Sequence, residues 1–398
     1  MTPNGSATTL FTLPVEMQQH IFSYIPAEDL LSNLRLTTTK MWSILNPEEK
    51  YWQVRNKNVN HLIPYDHNFT QDCLGHAKAA YGIEKIKDNV VRGYNKKMVT
   101  KSHIATIDSI KLINYGELDL VLTGGRDRTI VMRGLSGYRN YDELLIDDPP
   151  AFEYKEAHNG WISKIEYGQN MKAISVGWDG KIVVWDMNNS GLTPIKKHTG
   201  FAAYVDCVTT GPSTALCSCM DKSIVVYDMR ATLKVQARMY HQHRTITKLA
   251  MDPDSNYGYS FGEDNQLICF DKRTWSTVSS LTIEKGSHSM AVYGETLAFG
   301  KVNGSINFYN TRNFNECDNV FMSESRAAIK NIKMSAGHIA FTRAHGNHLE
   351  VYTYGQKRRE NLAKFLSQTE ICSIDYSHGE FVYSEGSGDV HFCLSTRM

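Results

Sequence analysis

Along most of the chain, apolar and polar residues alternate with a period of two, and short polar turns break the alternation at regular intervals. Residues 175–186, SVGWDGKIVVWD, show the pattern most fully. There Asp179-Gly180 separates apolar runs over 173–176 and 182–185, a combination that predicts two strands joined by a tight hairpin. Upstream, Ile162, Ile165 and Tyr167 predict a third strand, opened by His158. The N-terminal segment follows a different rule. Met17, Ile21, Tyr24 and Ile25 fall at i, i+4, i+7 and i+8, the spacing of one helix face, with Pro14 and Glu16 suited to its first turn. A second short helix is predicted to begin near Pro26 and to carry Leu30, Leu31 and Leu34. Asn46-Pro47-Glu48-Glu49 reads as the cap and first turn of another.

The strand–turn–strand unit recurs. Aligned on the apolar residue three after the turn, copies fall at Ile130, Ile182, Ile224, Leu267, Ile306, Leu349 and Val390, with spacings of 52, 42, 43, 39, 43 and 41. All but the first match the roughly 40–45 residues of one propeller blade, and the first is lengthened by an insertion read over 136–152. A large ring recurs at Trp185, Tyr227, Phe270, Tyr309 and Tyr352, where the second strand fills the space between blades. Within the most complete copy, His158, Ser175, Asp179 and Trp185 are spaced to form a buried network in which carboxylate, imidazole, hydroxyl and indole satisfy one another. This copy resembles the WD40 repeat and carries all four of its structural polar positions. Asn303, Gly346 and Ser387 replace the turn aspartate in the last three copies. The predicted fold is mostly β: a seven-bladed WD40 propeller over 89–398. Residues 90–101 are expected to close the last blade, which otherwise lacks an outer strand and leaves a sheet edge open.

The helical segment carries more apolar side chains than a piece of its size can hide: Leu13, Ile21, Phe22, Ile25, Leu30, Leu31, Leu34, Leu36, Met41, Trp42, Leu45 and Trp52. Part of that surface must dock elsewhere. Leu13-Pro14, Glu16, Ile21, Asp29-Leu30, Leu34, Leu36, Trp42 and the closing Tyr51-Trp52 are similar, in order, to the F-box pattern, although the approach to Trp42 is less basic than usual. The resemblance implies a small all-α F-box domain over 10–52 that binds a Skp1-type adaptor, and through it a cullin, with Leu13, Pro14, Ile21, Ile25, Leu30, Leu34 and Trp42 at the contact. Residues 53–88 read as a helical, fairly stiff linker.

With 43 basic and 42 acidic residues, charge gives no sign of wholesale nucleic-acid or membrane binding. No apolar run is long enough to span a bilayer, no signal peptide is read, and the eight cysteines are scattered, so no disulfides are expected. These features point to an intracellular protein of the cytoplasm or nucleus. Residues 258–262 fit G-x-S-x-G, but a hydrolase elbow needs a strand followed by a helix, and here another strand follows. Cys217 and Cys219 share one strand face and read as core packing; His345 and His348 flank a turn and read as exposed. Neither metal, cofactor nor catalytic residue is read, and no convergent acidic or histidine set is expected in the central channel.

Residues just before the turns and in loops leading to the inner strands should form a rim: Arg126, Trp161, Trp178, Phe201, Tyr204, Arg244 and Arg326. Aromatic and Arg side chains suit a protein or peptide partner. Relatives with this layout read phosphorylated degrons through clustered arginines, but here the arginines are spread over blades and Glu263 opposes a phosphate. Tyr227-Asp228-Met229-Arg230 and Phe270-Asp271-Lys272-Arg273 resemble the W-D-x-R boxes of another cullin-receptor class, without the tryptophan. The resemblance as a whole implies a non-catalytic substrate receptor of an SCF (Skp1-cullin-F-box) ubiquitin ligase. The alternative is a propeller scaffold that assembles complexes without promoting degradation.

Overall fold

The structure is a computed structural model that describes residues 10, 13–45, 51–52, 55, 84, 96–115, 118–135, 152–168, 170–187, 191–200, 202–210, 213–230, 233–252, 255–283, 287–294, 296–311, 317–322, 325–335, 338–353, 361–377 and 380–394. The chain divides into two compact units, Met1–Asp88 and Asn89–Met398. The linker positions other than Arg55 and Glu84, the cap at 46–49 and the insertion over 136–151 lie outside the described residues.

In the first unit, helices α1 (Val15–Phe22), α2 (Ala27–Ser32) and α3 (Thr39–Ile44) flank a 3-10 turn at Leu34–Leu36. Pro14 and Pro26 stand at the N-caps of α1 and α2, where a missing N–H costs nothing. Thr38 caps α3 by accepting the Met41 amide at 3.1 Å. The face read from the sequence runs further than α1, which ends at Phe22; Tyr24 and Ile25 follow it in a turn. Phe22, Ala27, Leu30, Met41, Leu45, Tyr51 and Trp52 form the core. Arg55 is buried among them and donates to the carbonyls of Phe22 (2.8 Å) and Ile25 (2.7 Å), to the Tyr51 hydroxyl (2.9 Å) and to Glu84 (2.6 Å). Glu84 also accepts the Ala27 amide at 2.8 Å.

The second unit contains seven four-stranded antiparallel sheets among the described residues. Blade 1 takes strands Ile107–Tyr115, Leu118–Gly125, Ile130–Gly134 and Phe152–Tyr154 in order, and blade 2 takes Ile162–Tyr167, Lys172–Gly177, Lys181–Asp186 and Thr193–Thr199. Inner strands Tyr204–Thr210, Ile246–Met251, Ser287–Tyr293 and Ile329–Ser335 open blades 3 to 6. Blade 7 combines Ile371–Ser377, Glu380–Glu385 and Asp389–Leu394 with Lys96–Lys101, which pairs along Asp389–Leu394 from Lys96 opposite Leu394 to Lys101 opposite Asp389. The middle strands are buried along nearly their whole length because neighbouring blades cover both their faces, whereas outer strands such as Thr193–Thr199 alternate between exposed and half-buried.

Cores form between blades. Ile174, Val176, Ile182 and Val184 of blade 2 pack on Tyr204, Cys207, Cys217 and Val225 of blade 3. Where the ring closes, Ile107, Ile110 and Val121 of blade 1 meet Val382, Val390 and Phe392 of blade 7. Each inner strand also shifts register after its first paired residue, for example between Ile107 and Ser109 and between Ile162 and Lys164. Such a bulge bends the strand and re-aims the side chains at its start. Repeated in all seven blades, it shapes one end of the ring.

Candidate functional site

On the helical unit, the i, i+4 spacing of α1 turns Phe22 and Gln18 inward and Met17 and Ile21 outward. Pro14, Ile21 and Trp42 are exposed, and Leu13, Ile25 and Leu34 are half-buried. Leu30 corrects the sequence reading: at 0% exposure it fills the core of the unit and is closed to a partner. Met17, Tyr24 and Leu36 are exposed beside the expected positions. Their signal was the helical face for Met17 and Tyr24 and the apolar inventory for Leu36, neither of which by itself says which side chains face out. The Trp42 ring, 48% exposed, is held by the Arg35 guanidinium 4.5 Å from its centroid.

On the propeller, polar networks in blades 1, 2 and 4 tie the loop leading to the inner strand to a hairpin turn. His158 Nδ1 lies 3.0 Å from Asp179 and Nε2 2.7 Å from the Ser175 hydroxyl, which also accepts the Trp185 indole N–H at 2.9 Å. Asp179 accepts the amides of Asn159 (2.8 Å) and Lys181 (3.0 Å). Burial pushes the Asp179 carboxyl up, but the His158 bond and the two amides outweigh it and hold the group down at about 2. Blade 1 repeats the arrangement with His103, Asp127 (2.9 Å) and Thr123 (2.8 Å), a set found only in the structure. Its sequence signal was a histidine ahead of the turn aspartate at nearly the His158–Asp179 spacing. In blade 4, Gln242 takes the histidine's place and donates to the Gln266 carbonyl at 2.6 Å, while Asp264 accepts the His243 amide at 2.8 Å.

These anchors place three of the rim residues together. Arg126 forks onto Asp108 at 2.8 and 3.1 Å and lies 4.7 Å from the Trp161 ring centroid. Trp161 and Trp178, 41% and 50% exposed, have centroids 4.9 Å apart, and the Trp178 amide donates to the Trp161 carbonyl. Arg244 and Arg326 are exposed, but among the described residues no bond or ring contact joins them to this group. Tyr204 is a correction. It lies at the start of an inner strand, 1% exposed, with its hydroxyl bonded to that of Tyr227, so it packs between blades and is closed to a rim ligand. Phe201 lies outside the described residues.

Residues 258–262 fall within the strand Tyr257–Gly262, and Ser260 is fully buried. Cys217 and Cys219 pack in the core between blades 2 and 3. His345 is exposed as read, whereas His348 is only partly so. Arg230 and Arg273 fork back onto Asp228 and Asp271. In the channel, charged residues of both signs converge as ion pairs, a mixed set that the sequence reading did not foresee. Lys111 lies 2.8 Å from Glu166 and 3.9 Å from Asp375, Lys164 lies 3.5 Å from Glu166, and Lys333 lies 2.8 Å from Asp375. Burial pushes the Asp375 carboxyl up, but Lys111 and Lys333 hold it at about 2.

Seven four-stranded blades closed by an early strand, with rim loops anchored by His–Asp and related networks, define a WD-repeat propeller preceded by a small helical unit. No family model matches the chain. It is similar to F-box/WD repeat-containing protein mec-15 of Caenorhabditis elegans, 22% identical over 401 residues that cover 98% of this chain and 97% of that one. Similarity to F-box/WD repeat-containing protein 9 of Homo sapiens, 25% identical over 310 residues, covers 76% of this chain and 65% of the human protein. A shorter match, 24% over 135 residues and 33% of this chain, reaches 41% of small ribosomal subunit protein RACK1 of Neurospora crassa. Both of the longer matches are to F-box/WD repeat-containing proteins, which supports a place for the chain in that family.

Proposed function

We propose that this protein is the substrate-recognition subunit of an SCF-type ubiquitin ligase in the cytoplasm or nucleus. The helical unit holds a Skp1-type adaptor, the propeller rim holds the protein to be modified, and other subunits transfer ubiquitin. The observation that carries the reading is the exposure of Pro14, Met17, Ile21, Leu36 and Trp42 on a unit whose own core is already filled. Similarity over nearly the whole chain to an F-box/WD repeat-containing protein supports it.

On the rim, the stacked pair Trp161 and Trp178 is the favoured contact for an aromatic or aliphatic side chain of the substrate. Arg126 supports that pair rather than a phosphate, because Asp108 already occupies its fork.

Two experiments test the proposal. Ile21→Asp with Trp42→Ala should abolish co-purification of the adaptor and cullin while leaving the propeller folded; retention of the adaptor by this variant would sink the assignment. Leu13→Ala with Pro14→Ala should lengthen the half-life of proteins captured on the rim, whereas a scaffold leaves their turnover unchanged. Trp178→Ala should weaken capture by about 2 kcal/mol, roughly thirtyfold in Kd, as measured by titration of a captured protein.

A further inference from the structure

The inner strands place their charged residues in the channel as two tiers, read from the register with the adjoining strands. In one tier Lys111, Glu166, Lys333 and Asp375 balance, and their ion pairs link blades 6, 7, 1 and 2. In the other, Lys164, Asp206 and Lys248 stand on successive blades, with Lys164 also 3.5 Å from Glu166, and the seven charges of the two tiers together leave one positive charge over. Asp206 makes no ion pair with Lys248 within 4 Å. Its carboxylate oxygens accept the backbone amides of Cys207 and Leu249, each at 3.0 Å. Among the described residues, the Lys248 ammonium has neither an ion pair within 4 Å nor a hydrogen bond. On the next blade the channel wall is Ser289, Met290 and Ala291, with no acid, and the cavity measures about 490 Å³.

We propose that the channel binds a compact anion, phosphate or carboxylate in class, at the Lys248 ammonium against the acid-free wall of blade 5. The anion supplies the charge that the second tier lacks. Burial pushes the Lys248 amine below its ordinary value despite the attraction of Asp206 and Asp108, and Lys164 adds repulsion, so an anion at the ammonium offsets both of the effects that disfavour its charge. The low-dielectric wall strengthens the attraction relative to that at a surface lysine. The inference does not rest on the ligase reading, because the tiers belong to the propeller alone. The anion is either a free solute or an acidic group on a partner's side chain.

The test uses the full chain and two probes at fixed ionic strength, inorganic phosphate and a phosphoserine peptide, titrated by calorimetry. Saturable binding is expected, weakened at least tenfold in Lys248→Met and unchanged in Lys364→Met, an exposed lysine on an outer strand of blade 6. Tighter binding of the peptide assigns the anion to a partner; equal or tighter binding of phosphate assigns it to a free solute. Lys248→Met removes a desolvated charge, so the fold should persist. Should the variant fail to fold, acylation of the native protein decides, since phosphate must slow labelling of Lys248 and leave Lys364 untouched. Absence of saturable binding of either probe, equal binding by Lys248→Met, or labelling of Lys248 indifferent to phosphate would overturn the proposal.

Discussion

Asp179 joins an imidazole and two backbone amides, so its ionised form is part of the rim's architecture. Its folded pKa lies below the ordinary 3.8, at about 2. A depressed acid pKa means that the stabilisation is complete above about 4 and is lost as pH falls from there to about 2. Asp375 shifts the same way, so acid unfolding of the propeller should begin within this window, as followed by circular dichroism. Asp179→Ala should cost roughly 2–3 kcal/mol in urea denaturation, because it leaves a fully buried His158 without its partner. The network was legible as a spacing of four side chains. Tyr204 was not, because nothing in a loop's composition reveals that the first residue of a strand points inward.

At the scale of elements, Arg55 does for the helical unit what the aspartates do for the blades. Its five donors meet two carbonyls, a phenol and a carboxylate, and Glu84 carries the link on to the start of α2. Arg55→Ala leaves these acceptors buried and should lower the stability of the unit by about 3 kcal/mol. Arg55→Lys should rescue little, since one ammonium cannot span the same acceptors. Thermal melts of the intact protein and both variants would check this. Periodicity identified the helices because buried faces demand it, but the division of leucines between core and surface depends on how three short helices cross. That is why Leu30 falls inside while Leu36 stays out. The blades were legible for a related reason, since each needs nearly the same length of chain, and only degenerate polar positions such as Gln242 disguised the repeat. The channel charges could not be read at all. An inner strand contributes two at most, that of blade 5 none, and ring closure alone brings them together.

For the whole propeller, the pairing of Lys96–Lys101 with Asp389–Leu394 removes the edge that six and three-quarter blades would leave. Deleting Lys96–Lys101 should lower the melting temperature and send the protein into multimers on size-exclusion chromatography, as the bared strand finds other partners. The same clasp has a consequence for biosynthesis. A nascent chain emerges with its early β-strand already made but must wait through almost the entire ring before the mate for that strand leaves the ribosome. During that interval the arc stands open at its two ends, and a premature stop even a few codons short of the mate leaves the ring without its closing pair.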